Sequence, residues 1–303
     1  MGNKSIYWRI HMVTEVCEFA PAKINFNLHV LPEVKNGFHG IESIFQTVTL
    51  ADQLNVSVTE KKGICSVFCG DMILPEDNTI TSSYEAFCSV VGGEIPGVSV
   101  RLIKRIPSGG GLGGGSSDAA AFIRALEIVS GITLSVSQKE EIASRVGSDV
   151  FFFLFCGREG CAVVGGRGEI VKPIHARGDL YMLLVFPGVQ SPTREAYSLV
   201  DAYFASGKTV VCPAFADLET IYNSPVSSWS FANSFTPSLV NRFPEVGRAL
   251  NDIRSSGALY GEMSGSGSTV YGVFPSFEEA ENAGYELAER WKGRVIVRPF
   301  RDR

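Results

Sequence analysis

The sequence predicts an α+β fold organised as two lobes. The chain has 303 residues, and a prior of about 150 residues per domain favours two units. Segments with the alternating pattern of half-buried strands occur in pairs among segments of helical periodicity, which is typical of α+β rather than doubly wound α/β folds. Glycine is abundant at 32 residues, and six glycines fall within seven consecutive positions.

The first segments combine strands with helices. Residues 16–30 are apolar and β-prone around an interruption at residues 21–23, and Gly37 closes the polar turn that follows. Residues 41–50 and 54–58 alternate apolar and polar side chains, which predicts antiparallel strands with one face in water. Apolar spacing and the positions of glycine then predict a helix at residues 78–90, a strand at 98–104, and helices at 119–130 and 137–146.

The second half alternates short strands with helices. Strands are predicted at residues 151–155, 162–164, 169–171, 181–186, 259–263, 269–274 and 295–297. Helices are predicted at residues 193–204, 248–253 and 277–291. Residues 205–237 show no clear period, so the sequence determines their structure only weakly.

Composition excludes several classes of function. The formal net charge is −5, whereas nucleic-acid binding needs clustered Lys and Arg. The seven cysteines are scattered and include no C-x-x-C pair, so we expect reduced thiols in a cytoplasmic protein rather than a disulfide or zinc framework. The apolar run at residues 150–155 is too short to cross a membrane, and residues 1–15 lack the apolar region of a signal peptide. Met12 is a candidate native start, preceded by an upstream extension.

The most informative segment is a glycine-rich stretch between the strand at 98–104 and the helix at 119–130. Glycines allow positive φ angles and leave no side chain between the backbone and a ligand. The following helix supplies free N–H groups and a partial positive charge at its first turn. The stretch therefore predicts a phosphate-binding loop. Its residues are Pro107, Ser108, Gly109, Gly110, Gly111, Leu112, Gly113, Gly114, Gly115, Ser116 and Ser117.

The glycine-rich stretch has three alternative interpretations. Gly109, Gly111 and Gly114 satisfy G-x-G-x-x-G, but the preceding strand carries Ser99 and Arg101 on one face, whereas the first Rossmann strand is usually buried on both sides. The P-loop pattern requires a Lys directly after the glycines, and none is present there. A flexible linker or packing turn is the plain alternative, although six glycines are costly to order without a ligand.

Polar residues at two predicted helix ends are candidate functional residues. Ser116, Ser117 and Asp118 are expected to open and cap the helix after the loop, since such side chains accept hydrogen bonds from free N–H groups. Asp149 precedes the apolar run at 150–155. A carboxylate at such a predicted helix-to-strand junction is partly desolvated. Desolvation can shift its pKa toward the value that suits a general base. A turn-forming role is the plain alternative for Asp149.

Three motifs resemble the signatures of the superfamily of galactokinase, homoserine, mevalonate and phosphomevalonate (GHMP) kinases. The glycine loop resembles the second signature. Residues 20–28, Ala-Pro-Ala-Lys-Ile-Asn-Phe-Asn-Leu, resemble the first, and residues 263–269, Met-Ser-Gly-Ser-Gly-Ser-Thr, resemble the third. The three motifs occur in order over most of the chain, which makes the resemblance far more specific than one motif alone.

The extended glycine loop and the step Gly37-Phe38-His39 are similar to one branch of this superfamily. That branch phosphorylates the 2-hydroxyl of 4-diphosphocytidyl-2-C-methyl-D-erythritol in the non-mevalonate (MEP) isoprenoid pathway. The resemblance implies a two-lobed α+β GHMP kinase fold with its active site in the cleft between the lobes. It implies an ATP-binding domain at residues 1–178, a substrate-binding domain at residues 179–303, and ATP and Mg²⁺ as cofactors. We expect a monomer or weak homodimer.

The resemblance also implies roles for individual residues. Lys23 would be a catalytic lysine whose ammonium stabilises the moving phosphoryl group, although an exposed surface lysine is its plain alternative. Asp149 would take the proton of the acceptor alcohol. Ser117 would reach the Mg²⁺, which is otherwise carried by the phosphates. The implied ATP contacts are Pro107, Gly109, Gly110, Gly111, Leu112, Gly113, Gly114, Gly115, Ser116 and Ser117.

The implied substrate contacts come from both lobes. Phe38 stands where the family usually has tyrosine, so it keeps a π face for cytosine and lacks the hydroxyl. His39 would hydrogen-bond the edge of the base, and Tyr197 would close its other side, with a place in a helix core as the plain alternative for Tyr197. The turn at residues 264–267 would fold against the glycine loop. The implied contacts are Asn25, Phe38, His39, Thr193, Tyr197, Ser264 and Gly265.

Two rival functions fit the same motifs. The chain could be another GHMP kinase, acting on homoserine, mevalonate or a sugar, but the Phe38–His39 pair argues against this. It could instead be a sensor that binds a nucleotide or metabolite without turnover. The presence of both Lys23 and Asp149 argues against a sensor, since binding alone needs neither.

Overall fold

The computed structural model describes residues 13–70 and 72–301 and contains two β-sheets with helices packed against them. The predicted extension before Met12 lies outside the described residues. The strands are β1 (Glu15–Lys35), β2 (Phe38–Thr59), β3 (Cys65–Cys69), β4 (Gly97–Ile103), β5 (Cys161–Gly165), β6 (Ile170–Pro173), β7 (Tyr181–Val185), β8 (Tyr260–Met263), β9 (Val270–Phe274) and β10 (Arg294–Val297).

The six predicted helices correspond in order to six of the helices in the described residues, and short 3₁₀ turns lie at Phe215–Asp217 and Val226–Ser228. Within the described part of the chain, none of the helices is long and apolar enough to span a membrane. The helices are α1 (Thr79–Val91), α2 (Gly114–Ser130), α3 (Val136–Val146), α4 (Ser148–Phe155), α5 (Thr193–Ala205), α6 (Leu218–Tyr222), α7 (Thr236–Arg242), α8 (Pro244–Ser255) and α9 (Phe277–Glu286).

The first sheet is built on two long strands. β1 and β2 pair antiparallel, and the sheet runs in the order β3-β4-β2-β5-β6. The two strands predicted at residues 41–50 and 54–58 are therefore parts of one strand, β2. Register shifts after Pro21 and after Asn25 interrupt the pairing of β1, and Lys23 lies between them. Such bulges bend a strand and change the direction of its side chains. Lys23, which pairs with Thr47, is thus in a short segment of the ladder between two irregularities.

The second sheet is antiparallel and has the order β10-β7-β9-β8. One buried cluster joins it to the first sheet, with Ile24 and Phe26 of β1 packed in the same core as Met182 of β7 and Tyr271 of β9. The predicted domain boundary between residues 178 and 179 falls between β6 and β7 and stays a prediction. Because the two sheets share a core, the groups that β1 presents are held rigidly against the second half of the chain.

The end of the described chain returns to the first sheet. The N–H of Thr49 donates to the carbonyl of Arg298 at 2.9 Å, and the N–H of Phe300 donates to the carbonyl of Thr47 at 3.0 Å. Val48 and Pro299 form a bridge between these bonds. Residues near the start and end of the chain thus close one sheet together.

Two sequence predictions of secondary structure are wrong. Residues 151–155 form most of helix α4 rather than a strand, with Val150, Phe151, Phe152 and Phe153 buried. A short apolar run has no period that separates a buried helix from a buried strand. Asp149 consequently lies in the first turn of α4 and not at a helix-to-strand junction. The helix predicted at residues 277–291 ends at Glu286.

Residues 205–237, which the sequence left open, form α6, two 3₁₀ turns and the beginning of α7. Their aromatic side chains join the core under β1. The ring of Trp229 lies 5.0 Å from that of Phe26 and 6.0 Å from that of Tyr222. Burial of such rings contributes strongly to stability, so this segment is an integral part of the fold.

Candidate active site

A cleft of about 500 Å³ brings together residues from both halves of the chain. It also has an apolar part, formed by Met72, Leu74, Ile80, Leu102 and Ile106. The glycine loop and the residues expected to act in chemistry therefore share one concave site. The predicted site residues that line it are Lys23, Asn25, Pro107, Gly109, Gly110, Gly111, Leu112, Gly113, Gly114, Gly115, Ser116, Asp149, Thr193, Tyr197 and Gly265.

The glycine loop has both the conformation and the contacts that require glycine. Gly109, Gly111 and Gly113 have φ angles of +69°, +74° and +69°, a region that favours glycine. A Cβ on Gly111 would lie 2.1 Å from the carbonyl oxygen of Ser264, and one on Gly113 would lie 3.0 Å from the Lys23 side chain. The loop lacks side chains because its neighbours pack directly against its backbone.

Helix α2 begins earlier than the sequence predicted. Its first residue is Gly114, and Gly113 is the N-cap, with no side-chain hydrogen bond at the cap. Ser116 and Ser117 therefore lie in the first turn and Asp118 follows them within the helix, so their predicted capping roles are wrong. The N–H groups of the first turn remain available for an anion, as expected of an uncapped helix N-terminus.

Lys23 and Asp149 face each other in the cleft. The Lys23 ammonium lies 3.5 Å from Asp149 Oδ2 and donates to Asn25 Oδ1 at 2.5 Å. Lys23 is 4% exposed, whereas the side chain of Asp149 is 30% exposed. Burial lowers the pKa of Lys23, and the opposing charge of Asp149 only partly restores it. A buried cation thus meets a carboxylate that opens onto the cleft.

Ser264 ties β1 to the glycine loop from behind. Its hydroxyl accepts the backbone N–H of Asn25 at 3.3 Å and donates to the carbonyl of Gly111 at 3.0 Å. Ser264 is fully buried, and the adjoining Gly265 lines the cleft in its place. The turn therefore folds against the loop as expected, with Ser264 as a buried brace.

Helix α5 brings C-terminal residues to the cleft. Thr193 Oγ1 lies 3.3 Å from Ser266 Oγ, which joins the start of α5 to the turn after β8. One turn further along, Tyr197 packs edge-on against Phe235, with 5.0 Å between ring centres. Burial, with the nearby charge of Asp149, raises the pKa of Tyr197 to about 12. Tyr197 is therefore a neutral aromatic wall beside the carboxylate.

His39 lies next to the cleft, where it contacts α5. Its Nε2 is 2.8 Å from Asp201 Oδ1, and its Nδ1 is 2.7 Å from the carbonyl oxygen of Leu31. The imidazole stacks on Tyr197 with 5.8 Å between centroids and 12° between planes. Both ring nitrogens thus already have protein partners. No sequence pattern predicted the contact with Asp201.

Phe38 lies at the start of β2 with half of its surface exposed. The guanidinium carbon of Arg167 sits 3.7 Å from its ring centroid. One face of the ring predicted to stack on a base is therefore covered by a cation. No local sequence pattern predicts this contact, because the two residues lie far apart in the chain.

A buried ionic triad lies beside the loop, and no sequence pattern predicted it. Lys104, which lines the cleft, donates to Asp52 at 2.5 Å and to Asp118 at 2.8 Å. Asp52 also accepts the backbone N–H groups of Arg105 and Ile106. Burial raises the pKa of Asp118 to about 7; the charge of Asp52 adds to this and that of Lys104 opposes it. The triad joins the strand before the loop to the helix after it.

Polar atoms in α2 bear on metal binding. Ser117 Oγ and Asp118 Oδ1 are buried without a hydrogen-bond partner, which is uncommon for buried polar atoms. Over residues 13–70 and 72–301, no group of three or more His, Cys, Asp or Glu side chains is arranged to hold a metal ion. The free oxygens of α2 therefore fit a metal held mainly by ligand oxygens rather than a protein cage.

Comparison with known proteins places the chain in a family. The family models described as GHMP kinases N terminal domain and GHMP kinases C terminal match residues 78–157 and 217–293. The 4-diphosphocytidyl-2-C-methyl-D-erythritol kinase of Treponema pallidum (strain Nichols) is 40% identical over 92% of this chain and 97% of that protein. The chain belongs to the 4-diphosphocytidyl-2-C-methyl-D-erythritol kinase family. A kinase of the same name from Thermotoga maritima is 38% identical over 84% of this chain and 90% of that protein.

Solved structures confirm the two-lobed GHMP kinase fold. A crystal structure of 4-(cytidine 5'-diphospho)-2C-methyl-D-erythritol kinase has a TM-score of 0.76 at 28% identity, over 93% of this chain and 98% of that one. The homoserine kinase of Cytophaga hutchinsonii has a TM-score of 0.69 at 20% identity, over 97% of both chains, and shows the fold alone. The chain is thus a small-molecule kinase of the 4-diphosphocytidyl-2-C-methyl-D-erythritol kinase family, and this membership implies ATP as the phosphoryl donor.

Proposed function

We propose that this kinase transfers the γ-phosphoryl group of ATP to the 2-hydroxyl of 4-diphosphocytidyl-2-C-methyl-D-erythritol, a step of the MEP isoprenoid pathway. The observation that carries the proposal is the direct attachment of Lys23, which faces Asp149, to the glycine loop. The backbone N–H of Lys23 donates to the carbonyl of Leu112 at 2.9 Å, while its ammonium faces Asp149. A phosphate held by the loop therefore lies beside both charged groups.

The glycine loop and the start of α2 would hold the triphosphate. Their backbone N–H groups suit phosphate oxygens, and the apolar part of the cleft at Ile80 and Leu102 offers room for a purine. Mg²⁺ would be carried mainly by the phosphates, with the unpartnered hydroxyl of Ser117 as its protein neighbour. When bound, it neutralises charge on the phosphates. Residues 1–178 would thus form the nucleotide domain.

Asp149 would act as the general base. Its carboxylate accepts the proton of the 2-hydroxyl as the new bond between that oxygen and the γ-phosphorus forms and the bond to the β-phosphate oxygen breaks, releasing ADP. Lys23, buried next to it, supplies a fixed positive charge for the phosphoryl oxygens in the transition state. Such electrostatic stabilisation is strongest where water is excluded.

The domain formed by residues 179–303 would complete the substrate site. Thr193, Tyr197 and Gly265 line the cleft on this side, and His39 stacks on Tyr197. The cytidine end of the substrate would lie toward these rings, since base–aromatic stacking is worth about 1–3 kcal/mol. We propose that the reaction takes place in the cytoplasm on a monomer or weak homodimer.

The decisive experiment is an ADP-release assay with Mg-ATP. It compares 4-diphosphocytidyl-2-C-methyl-D-erythritol with homoserine, mevalonate and galactose. Turnover confined to the cytidine compound establishes the proposed function. Turnover of another alcohol keeps the kinase and rejects the cytidine substrate, and bound ATP with no turnover on any of them favours a sensor.

The proposed base is tested by Asp149→Asn. We expect kcat to fall by about 10²- to 10⁴-fold, because general base catalysis contributes that much, while the Kd for ATP stays near the wild-type value. Asp179→Asn is the matched control, since Asp179 is exposed and pairs with Arg177 on the surface. Wild-type turnover in Asp149→Asn would remove Asp149 from the mechanism.

A further inference from the structure

Ser43 lies in β2, opposite Leu28 of β1, and its side chain is fully buried. Its hydroxyl donates a hydrogen bond to the backbone carbonyl of Asn27. The same hydroxyl accepts the side-chain amide N–H of Asn25, with 3.0 Å between Asn25 Nδ2 and Ser43 Oγ. A hydroxyl has one proton to donate. Ser43 can therefore act toward Asn25 only as an acceptor while its proton is bound to Asn27.

The bulge in β1 explains why that proton is committed to Asn27. The pairing of β1 with β2 shifts register between Asn25 and Leu28, and Asn27 lies in the irregular part between them. Asn27 is fully buried, and a buried carbonyl without a hydrogen-bond partner is costly. The hydroxyl of Ser43 thus satisfies a backbone group that the bulge removes from the regular ladder.

The acceptor role of Ser43 fixes the direction in which the Asn25 amide faces. Asn25 Nδ2 points at Ser43, so Oδ1 points the other way and accepts the Lys23 ammonium at 2.5 Å. A reversed amide would place its NH₂ group against the ammonium, two donors without an acceptor. It would also turn Oδ1 toward a hydroxyl whose proton is already used. Asn25 is 2% exposed, so water does not compensate for such a reversal.

Three groups of the protein face the Lys23 ammonium. They are the carboxylate of Asp149 in α4 at 3.5 Å, the amide oxygen of Asn25 in β1, and the ring of Phe45 in β2, whose centroid lies 4.4 Å away. Asp149 is the charged group among the three. Tyr197 beside it stays neutral, since its pKa is raised to about 12. The amide of Asn25 is therefore the neutral acceptor that holds the ammonium, and the carboxylate stays open to the cleft.

The inference rests on the proposed function, in which the charge of Lys23 stabilises the phosphoryl oxygens. Such stabilisation depends on a charge that is fixed in place before the reaction. We propose that Ser43 is a positioning residue for this reaction, which orients the Asn25 amide so that the Lys23 ammonium is held in place. Ser43 acts through Asn25 and does not itself contact the substrate.

The kinetic test compares Ser43→Ala with Ser83→Ala. Ser83 is also fully buried, but its hydroxyl donates to the carbonyl of Thr79 within its own helix, α1, so it is a matched control. We expect Ser43→Ala to lower kcat about tenfold, as for a weakened hydrogen bond to a charged group. The KM for ATP should not change, because the lost interaction acts in the transition state. Ser83→Ala should behave as wild type.

Two further variants separate the hydroxyl from its volume. Ser43→Thr keeps the hydroxyl and should turn over as wild type. Ser43→Cys keeps a similar volume but has a thiol, which is a weak hydrogen-bond donor and acceptor, so its kcat should fall as in Ser43→Ala. Urea unfolding shows which variants are folded in the assay, and Ser43→Cys replaces Ser43→Ala if the alanine variant is not.

The effect on Lys23 can be measured without turnover. Acetic anhydride acetylates a neutral amine and not an ammonium, so labelling of Lys23 against pH, read by peptide mass spectrometry, reports where this lysine loses its proton. Loss of a fixed acceptor disfavours the charged form. Labelling of Lys23 should therefore begin at lower pH in Ser43→Ala than in wild type or Ser83→Ala, and the alkaline limb of kcat should move in the same direction.

The outcomes separate the inference from the function on which it rests. Labelling curves and kcat values that coincide for the two alanine variants, with wild-type turnover of the cytidine compound, reject the inference alone. A Ser43→Thr enzyme that behaves like Ser43→Ala also overturns it, because packing rather than the hydroxyl then causes the loss. Wild-type enzyme that does not phosphorylate the cytidine compound rejects the proposed function and, with it, the role of Ser43 in that reaction.

Discussion

Two buried lysines line the same cleft and are held in opposite ways. Lys23 is 4% exposed and has one carboxylate, Asp149, at 3.5 Å, and its pKa is lowered because burial prevails. The side chain of Lys104 is 13% exposed and contacts Asp52 at 2.5 Å and Asp118 at 2.8 Å. Burial alone would lower the pKa of Lys104 too, but its two carboxylates outweigh that cost and raise it.

The difference teaches that the number and solvation of the anionic partners decide what a buried cation does. With two buried carboxylates, Lys104 is a permanent cation that joins the end of β4 to α2 across the glycine loop. With one partly solvated carboxylate, Lys23 holds its proton less firmly and its charge remains available to a ligand. The first arrangement suits structure and the second suits chemistry.

Removing the positive charge of each lysine should distinguish the structural role from the chemical one. These substitutions have the largest expected effects on stability and turnover. Lys104→Met leaves two buried carboxylates unpaired, so we expect the free energy of unfolding to fall by about 3 kcal/mol or more. Lys23→Met removes a cation that burial disfavours, so it should change stability little and yet abolish turnover. Urea unfolding at neutral pH and kcat measured on both variants check this. Equal losses of stability would show that the two lysines are not distinct.

The pH dependence of turnover sharpens the contrast. If the ammonium of Lys23 is the active form, kcat falls on the alkaline side at a pH below the ordinary lysine value of 10.5, because the pKa of Lys23 is lowered in the fold. Lys23→Arg carries a guanidinium that stays charged, so this alkaline limb should disappear even though turnover is reduced. An unchanged alkaline limb in Lys23→Arg would assign it to another group.

The smallest expected effect concerns Asp118. Its pKa is raised from 3.8 to about 7 in the fold, so the folded state binds more protons than the unfolded state between these values. Stability contributed by this group is present at low pH and lost as pH rises toward 7. Asp118→Asn should therefore gain stability relative to wild type as pH rises from about 4 to about 7, as measured by urea unfolding.

Asp179 provides a control of opposite sign for that experiment. Hydrogen bonds from Arg177 lower the pKa of Asp179, so its contribution to stability is present at high pH and lost as pH falls through the lowered value. Asp179→Asn should thus lose stability relative to wild type only as pH rises to about 4, and the difference should stay constant over the range in which Asp118 titrates. A flat difference for Asp118→Asn over the same range would mean that Asp118 does not titrate there.

Much of this fold could be predicted because its local signals are strong. Alternating apolar and polar side chains predicted strands of the sheets, and α2 ends at Gly131 as predicted. The run at residues 151–155 was misread because a fully buried helix and a fully buried strand are equally apolar. The beginning of α2 was placed late, since the sequence pattern suggested side-chain caps where the structure uses Gly113 in the left-handed region.

The site was predictable where motifs are contiguous and not where contacts are distant. The glycine loop and Lys23 were predicted from their motifs and Asp149 from its place before the apolar run, and they lie in one cleft. The partners of Lys104 lie 52 and 14 positions away, and no local pattern pairs them. Arg167 was missed for the same reason, because its contact with Phe38 depends on how β5 and β6 pack beside β2.

The return of the chain end to β2 has a consequence for synthesis on the ribosome. The backbone groups of Thr47 and Thr49 emerge from the ribosome about 250 residues before their partners at Arg298 and Phe300. At about 5–20 residues per second, this part of the nascent sheet stays open for many seconds. An unpaired strand segment invites association with other chains, so a chain that stopped before Arg298 would leave this part of β2 open and prone to aggregate.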